Sequence, residues 1–326
     1  MAADTFYAQQ SANRRNSIFL ALIVVALLAL LGYAIGYAMT ADPVGAVGTT
    51  VVAVVIGFLV SVGSYFGGDK LVLAASGAKE VDATSAPQLL NVVQEMTIAA
   101  NVPMPRVYLI DDSAPNAFAT GRDPKHSSIA ITTGLLQKLD REELQGVIGH
   151  ELAHVRNLDI RFSLLVGVMV GSIALLSDFF LRFTFWGGGG RRSRDRDSGG
   201  GGLQAIMMIV AIALAILAPI AARLVQLAVS RQREYLADAS SVELTRNPAG
   251  LERALAKIGT DKEVLEVANR ATQHLYFTNP IKKFEDRSNS MFATHPAIVD
   301  RINRLRELTG ERPLDPGDMA ALADLT

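Results

Sequence analysis

The chain has 326 residues, half of them hydrophobic, with a mean hydropathy of +0.27 and a formal net charge of −1 at pH 7. The near-zero charge gives no electrostatic argument for a nucleic-acid partner or for binding to an anionic surface. Cysteine is absent, which excludes disulfides, thiolate metal sites and a cysteine nucleophile, and the apolar excess is expected in membrane segments.

Two apolar stretches predict a membrane anchor over residues 1–70. The first covers 18–39 and the second about 44–66, and each is long enough to cross a hydrocarbon core. A cleavable signal peptide is the competing interpretation of the first stretch, but its apolar core would be shorter and no clean cleavage site follows. Basic residues outside the pair place both flanks in the cytoplasm. They are Arg14, Arg15, Lys70 and Lys79.

Residues 71–161 have the pattern of a soluble α/β unit. A helix is predicted to begin at about Asp140, because Glu143 is positioned to complete a capping box. Apolar spacing and alternation predict the other elements, which are a helix over 86–100 and strands over 106–111, 117–120 and 128–132.

A second pair of apolar stretches predicts a membrane hairpin over 162–227, inserted within the domain. The stretches are 162–180 and 203–227, and the linker 187–202 between them is a low-complexity segment rich in glycine and arginine. Residues 228–326 then return to the domain, with a helix to about residue 258 and a closing helix over 296–309.

The helix that begins at Asp140 carries the sequence His150-Glu151-Leu152-Ala153-His154. The two histidines are four residues apart, so their imidazoles project from one helix face and suit two ligands on one tetrahedral ion. Glu151 is placed to take a proton from an attacking water and to deliver it to the leaving amine. A surface histidine pair is the alternative, but the apolar face of this helix indicates a half-buried element. The motif therefore predicts a hydrolytic site with one Zn²⁺ per chain.

A hydrolytic zinc site of this kind needs a third protein ligand, with the fourth position left to water. Glu234 and Asp238 lie four residues apart on a predicted helix, so one carboxylate could bind the metal while the other orients a ligand imidazole. A solvated charged face is the alternative, because arginines alternate with acids in this stretch. Spacing alone leaves these two interpretations equally open.

Three motifs together resemble the HtpX-type heat-shock membrane metalloproteases, relatives of the CAAX prenyl endopeptidases in the zincin clan. The motifs are HELAH (150–154), RQREYLADA (231–239) and NAFATG (116–121), and the resemblance covers nearly the whole chain. It implies that Glu234 is the third zinc ligand and that Asp238 supports the site. It also implies a quality-control and stress-response protease of the bacterial inner membrane.

Two further segments take their meaning from this resemblance. The residues Asn116, Ala117, Phe118 and Ala119 are similar to the edge strand that pairs with substrate in zincins, an arrangement that binds an extended peptide through its backbone. The alternative interpretation is that Asn116 is an ordinary turn residue. His295 is similar to a family histidine near the active site, where it would donate a hydrogen bond to the oxyanion. The alternative interpretation is that His295 is a cap or packing residue before a helix.

Metal coordination also constrains the topology. His154 and Glu234 must both lie within about 2 Å of one ion, so they are on the same side of the membrane. The hairpin between them then crosses twice and places the arginine-rich linker outside, against the charge bias, or it is shallow and re-entrant. We expect two crossings and a cytoplasmic active site, because the charge bias is statistical and early segments usually set the orientation.

The expected protein is therefore an α+β, mostly helical, integral membrane zincin-like metalloprotease with four hydrophobic segments. Its expected partners are the lipid bilayer and substrates among membrane or membrane-proximal proteins, without nucleic acid, and its oligomeric state stays open. An intramembrane protease is one alternative, but charges flanking the HELAH motif favour a site above the bilayer. A scaffold with a structural zinc is another, but such a site would close its fourth position with Cys or His, and Glu151 lies where a general base belongs.

Overall fold

The computed structural model describes residues 42–166, 231–265, 275–278 and 296–324, together with 11, 13–19, 21–23, 25, 26, 29, 33 and 37. Within these residues the protein is mostly helical with one small sheet, which confirms the coarse fold class. The linker 187–202, most of the predicted hairpin and His295 lie outside the described residues.

The secondary structure elements of the domain follow one another in a mixed order. The helices are α1 (Pro43–Ala75), α2 (Pro87–Ala100), α3 (Thr133–Lys138), α4 (Arg141–Arg156), α5 (Arg231–Thr245), α6 (Pro248–Thr260), α7 (Ile298–Thr309) and α8 (Met319–Ala323). The strands are β1 (Lys79–Glu80), β2 (Arg106–Ile110), β3 (Ala117–Asp123) and β4 (His126–Thr132). Residues 13–19 are also helical.

The sheet has the strand order β1-β2-β4-β3, which puts β3 at one edge. Strand β2 runs parallel to β4, whereas β3 is antiparallel to β4 and joined to it by a short turn. Gly121 has a φ of +139°, and a Cβ at this position would lie 2.2 Å from the His126 carbonyl oxygen. Only glycine therefore fits the point where β3 bends towards its turn. Sequence alternation did not predict β1 or α3, which are very short.

Helix α1 is the one helix of the described regions that is long and apolar enough to cross a membrane. Its most apolar window has a mean hydropathy of 2.3 and is only 7% buried, so α1 is not a core helix. Its 33 residues make a rod of about 50 Å, longer than a hydrocarbon core of about 30 Å. The excess length reaches the domain, where Val72 and Leu73 are buried beside the sheet. The other three predicted segments lie wholly or largely outside the described residues.

Helix α4 is the centre of the domain, and its start is defined by the predicted capping box. The Asp140 side chain accepts from the Glu143 N–H at 2.9 Å, and the Glu143 side chain accepts from the Asp140 N–H at 2.9 Å. A helix cap of this kind contributes about 0.5–2 kcal/mol. Glu143 is fully buried and also pairs with Lys257 of α6 at 2.8 Å, so one carboxylate joins the start of α4 to α6.

Helix α4 is buried more deeply than its sequence predicted. Eleven of its 16 residues are buried, rather than one apolar face alone. The reason is that α2, α5 and α6 pack around it, which sequence periodicity does not reveal. A Cβ on Gly149 would lie 2.9 Å from the Ser241 Oγ, and this Oγ donates a hydrogen bond of 2.6 Å to the Gly146 carbonyl. Small residues thus let α5 approach α4 closely, along the face that carries the motif histidines.

The polar region after the hairpin forms two helices, where one was predicted to reach residue 258. Helix α5 ends at Thr245, and Arg246 has a φ of +54°. Asn247 then caps α6 by accepting from the Gly250 N–H at 3.2 Å, and Pro248 occupies the first helical position. Asparagine followed by proline is a helix start signal, so this break is explained by local chemistry.

Candidate active site

Three predicted ligands come together between α4 and α5. The Nε2 atoms of His150 and His154 are 3.1 Å apart, and the Glu234 carboxylate oxygens lie 3.6 Å and 3.7 Å from them. All three ligand atoms lie within 4.8 Å of one another. Ligands at about 2.0–2.1 Å on a tetrahedral zinc are separated by about 3.3–3.4 Å, so these residues fit a single metal ion.

Each histidine is oriented by its own carboxylate. The His150 Nδ1 lies 2.8 Å from the Asp238 Oδ1, and the His154 Nδ1 lies 2.9 Å from the Asp159 Oδ2. A carboxylate only accepts, so each Nδ1 carries a proton, and in the neutral imidazole each Nε2 presents its lone pair to the same point. The carboxylate beside His150 is that of Asp238, the residue that the family resemblance implied as a support of the site. Asp159 plays the same part for the second histidine and was not predicted.

Asp159 reaches His154 because the chain turns back at the end of α4. The helix ends at Arg156, Asn157 is its C-cap, and Leu158 has a φ of +61°. A non-glycine residue with positive φ is uncommon, and the leucine at position 158 does not indicate one. Arg156 and Asn157 are residue types that favour the end of a helix, but they do not indicate that the chain returns Asp159 to His154.

The pKa of the His154 imidazole is raised well above its usual value. Burial disfavours its charged form, but the Asp159 hydrogen bond and the Glu234 charge outweigh burial and raise the His154 pKa to about 9. A ligating imidazole must be neutral, so a metal ion at this Nε2 competes with a proton. The carboxylates that favour this proton favour a divalent cation for the same electrostatic reason.

Arg301 from α7 forms a buried ion pair with Asp238, beside the converging residues. Its Nε and Nη2 donate to the two oxygens of Asp238 at 2.9 Å and 2.6 Å, and both side chains are buried. Burial opposes ionisation of Asp238, but the Arg301 guanidinium outweighs it, so the Asp238 pKa lies below its usual value. Removing one partner of such a buried pair typically costs about 3–5 kcal/mol. Asp238 is thus held charged and bidentate while it orients His150.

Glu151 lies beside the three ligands and faces the sheet. Its side chain is buried, and the backbone N–H of Ala119 in strand β3 lies close enough to its carboxylate to favour the charged form. Burial raises the Glu151 pKa, and the Glu234 charge acts in the same direction, while the two imidazoles oppose it. A carboxyl group with a raised pKa is suited to accept and release a proton near neutral pH.

The residues predicted to form a substrate strand lie on the sheet edge, next to this carboxylate. Asn116 is hydrogen-bonded towards β4 through Thr132, so alternation turns the backbone groups of Ala117 and Ala119 to the open edge. Their side chains are buried, as is Phe118, whose ring packs against Tyr276. This edge therefore offers backbone groups rather than side chains.

Part of the edge already carries a backbone partner, the segment 275–278. The Phe277 N–H donates to the Ala117 carbonyl at 2.7 Å, and the Phe277 ring packs edge-on against His150 with ring centres 4.8 Å apart. The Asn116 amide pairs with Thr278, donating to its carbonyl at 3.2 Å and accepting from its N–H at 3.3 Å. Asn116 therefore braces this segment, a role that the sequence did not indicate.

Several known proteins are similar to this chain over most of its length. The profile of peptidase family M48 matches residues 83–309. A Protease HtpX homolog of Streptococcus gordonii is 45% identical over 302 residues, which cover 93% of this chain and 99% of that protein. Protease HtpX homologs of Streptococcus thermophilus and Streptococcus pneumoniae match with the same identity and coverage. Among solved structures, S. mikatae Ste24p aligns with a TM-score of 0.45 and 18% identity, covering 91% of this chain and 66% of that chain.

Proposed function

We propose, from the premise that this chain belongs to peptidase family M48 and is a metallopeptidase, that it is a membrane-anchored zinc endopeptidase. His150, His154 and Glu234 are its metal ligands, and Glu151 is its general base. The observation that carries the proposal is the convergence of three ligand atoms within 4.8 Å. The buried carboxyl group of Glu151 lies beside them, on the helix that carries the two histidines.

The residues of the chain divide the chemistry between them. A bound zinc ion would supply the Lewis acid that acidifies water and polarises the scissile carbonyl. The Glu151 carboxylate receives the proton of the attacking water and passes it to the leaving amine. Asp159 and Asp238 hold the two imidazoles in the ligating tautomer. His295 is proposed to donate a hydrogen bond to the oxyanion.

The substrate is proposed to be an extended protein segment that pairs with the outer edge of β3 beyond Ala117. Two features support this proposal: the edge presents backbone groups, and Ala119 on that edge lies close enough to Glu151 to influence its pKa. Recognition through the backbone depends little on side chains, which suits unfolded substrates of varied sequence. We therefore extend the proposal to the cleavage of misfolded proteins, in quality control and in the response to stress.

Membrane attachment limits which substrates reach the site. Helix α1 exposes its apolar surface along its length, and its last turns pack on the catalytic domain. This arrangement supports a cleft held near a bilayer, with membrane or membrane-proximal proteins as substrates. We assign the cleft to the cytoplasmic side of the bacterial inner membrane, because basic residues flank the two N-terminal apolar stretches.

Removal of the metal tests the proposed chemistry. Protein purified in detergent without chelator is expected to contain one zinc per chain and to cleave casein. 1,10-Phenanthroline should abolish cleavage, its non-chelating 1,7-isomer should leave it unchanged, and zinc added after dialysis should restore it. Elemental analysis and gel-based cleavage give the two readouts. Cleavage that continues after the metal content has fallen to zero would disprove the zinc mechanism.

Cysteine labelling tests the topology, and the absence of native cysteine makes it unambiguous. Lys125→Cys marks the exposed turn between β3 and β4, and Ser193→Cys marks the arginine-rich linker. In intact spheroplasts, a membrane-impermeant maleimide is expected to label Ser193→Cys, and to label Lys125→Cys only after permeabilisation. Protection of both positions would instead indicate a re-entrant hairpin, and labelling of Lys125→Cys from outside would reverse the proposed orientation.

A further inference from the structure

Among the described residues of the polar segment before the first apolar stretch, Asn13 and Ser17 are buried. The Ser17 hydroxyl donates locally to the Asn13 carbonyl, whereas the Asn13 side chain bonds to distant parts of the chain. Asn13 is only 2% exposed to solvent, whereas Arg14, Arg15 and Asn16 are all exposed. Buried amide groups are almost always hydrogen-bonded, since an unpaired one costs about 1–3 kcal/mol. The partners of Asn13 therefore show what the N-terminal helical segment is docked against.

Asn13 forms its hydrogen bonds with the turn that follows α4 and with α5, and these two helices carry the proposed metal ligands. Its Nδ2 donates to the Asn157 carbonyl at 2.9 Å and to the Asp159 Oδ1 at 2.6 Å. Its Oδ1 accepts from the Arg233 Nη1 at 3.4 Å. Both amide protons and the amide oxygen are thus used, across sequence separations of 144 to 220 residues.

These contacts place Asn13 one side chain away from the metal site. Asp159 uses its Oδ1 for Asn13 and its Oδ2 for the Nδ1 of His154, so the amide fixes the rotation of the carboxylate that orients this ligand. Arg233 is the residue immediately before Glu234, and its Nη1 is also 3.8 Å from the Asp159 carboxylate. Without Asn13, the buried Asp159 Oδ1 would lose the donor of its shortest hydrogen bond.

We propose that Asn13 is a positioning residue of the metal site, through which the N-terminal segment sets the affinity for zinc. Seating of residues 13–19 against the end of α4 holds Asp159, and Asp159 in turn holds the His154 imidazole in its ligating orientation. Assembly of the membrane anchor is thereby coupled to the competence of a site more than 140 residues further along the chain. The inference rests on the proposed function only in that His154 is taken as a zinc ligand.

The test measures zinc binding to the full-length apoprotein in detergent, by competition with a chromophoric chelator. Loss of an outer-shell partner lowers metal affinity by about 10- to 100-fold, which is the range expected for Asp159→Ala. Asn13→Ala acts one step further out and should lower affinity by about three- to tenfold. Asn16→Ala is the matched control, because it is the same residue type, exposed, on the same helical segment. It should bind zinc like the wild type.

Two further measurements separate positioning from a general loss of stability. The visible spectrum of the cobalt-substituted protein should change in Asn13→Ala and stay unchanged in Asn16→Ala, since it reports ligand geometry directly. In an Asp159→Ala background, Asn13→Ala should cause no additional loss of zinc affinity. If Asn13→Ala does not fold, Asn13→Ser, which keeps one donor, takes its place with a smaller expected loss.

The outcomes distinguish this inference from the proposed function. A wild type that binds zinc and cleaves casein, together with equal zinc affinity and cobalt spectra for Asn13→Ala and Asn16→Ala, would overturn the role of Asn13 alone. An equal loss of affinity from Asn13→Ala with and without Asp159 would also overturn it. A wild type that binds no zinc would overturn the proposed metal site and this inference together.

Discussion

Replacement of Glu151 by glutamine is expected to lower casein cleavage by about 10²- to 10⁴-fold, the usual contribution of a general acid–base residue. The amide cannot take a proton from water, although it keeps the size of the side chain and can remain beside the Ala119 N–H. The metal content should stay at one zinc per chain, because Glu151 is not among the three converging ligands. Elemental analysis and an initial-rate assay on the same preparation check both halves of this expectation.

A matched control exists on the same helix. Glu142 is exposed at the start of α4 and makes surface contacts with Arg253 and Asn247, so Glu142→Gln should leave both activity and zinc content unchanged. Cleavage by Glu151→Gln at the wild-type rate would show that Glu151 is not the base. Absence of cleavage in the wild type, with zinc still bound, would instead favour a structural role for the metal.

Replacement of Glu234 by glutamine is expected to remove the metal itself. The substitution keeps the shape of the side chain but takes the negative charge from the only carboxylate among the three converging residues. The loss of zinc affinity should exceed about 100-fold, the upper limit for an outer-shell partner, and cleavage should disappear with the zinc. Competition titration of the apoprotein measures the affinity, and added excess zinc should restore part of the activity.

Two other variants show whether the loss of zinc affinity is specific to Glu234. Glu243 is exposed on the same helix, α5, and Glu243→Gln should bind zinc normally. Asp238→Asn should fall between the two, because Asp238 orients His150 without converging on the metal position. Full zinc occupancy of Glu234→Gln at wild-type affinity would remove Glu234 from the ligand set and return this stretch to the solvated charged face that spacing left open.

The predicted membrane hairpin would account for the separation of the proposed ligands along the chain. His154 and Glu234 are separated by the whole predicted insertion, yet their side chains lie 3.7 Å apart. Their helices are brought together by a buried interface, where Ser241 bonds to the backbone of α4 next to Gly149. On the prediction of a membrane hairpin, its path through the bilayer can vary without disturbing the site, provided that it begins and ends on the same side.

Local chemistry along the sequence determined the parts of this site that depend on one helix or one strand. The spacing of His150 and His154 places both imidazoles on one face, because 3.6 residues complete a turn. The capping box at Asp140 marks the start of that helix for a similarly local reason, and α1 follows from its apolar composition alone. The likeness to a known protease family favoured Glu234 as the proposed third ligand, a role that spacing had left open.

Only the tertiary structure decided which groups orient the ligands. Arg301 reaches Asp238 across 63 residues, Phe277 reaches Ala117 across the sheet edge, and Asn13 reaches Asp159 across 146 residues. Periodicity carries no information on such contacts, because each depends on how separate elements pack and on single backbone turns such as that at Leu158. The sequence by itself therefore determined the ligands of one helix and the class of chemistry. The fold determined the network of buried hydrogen bonds that holds those ligands, because only packing brings distant polar groups together out of water.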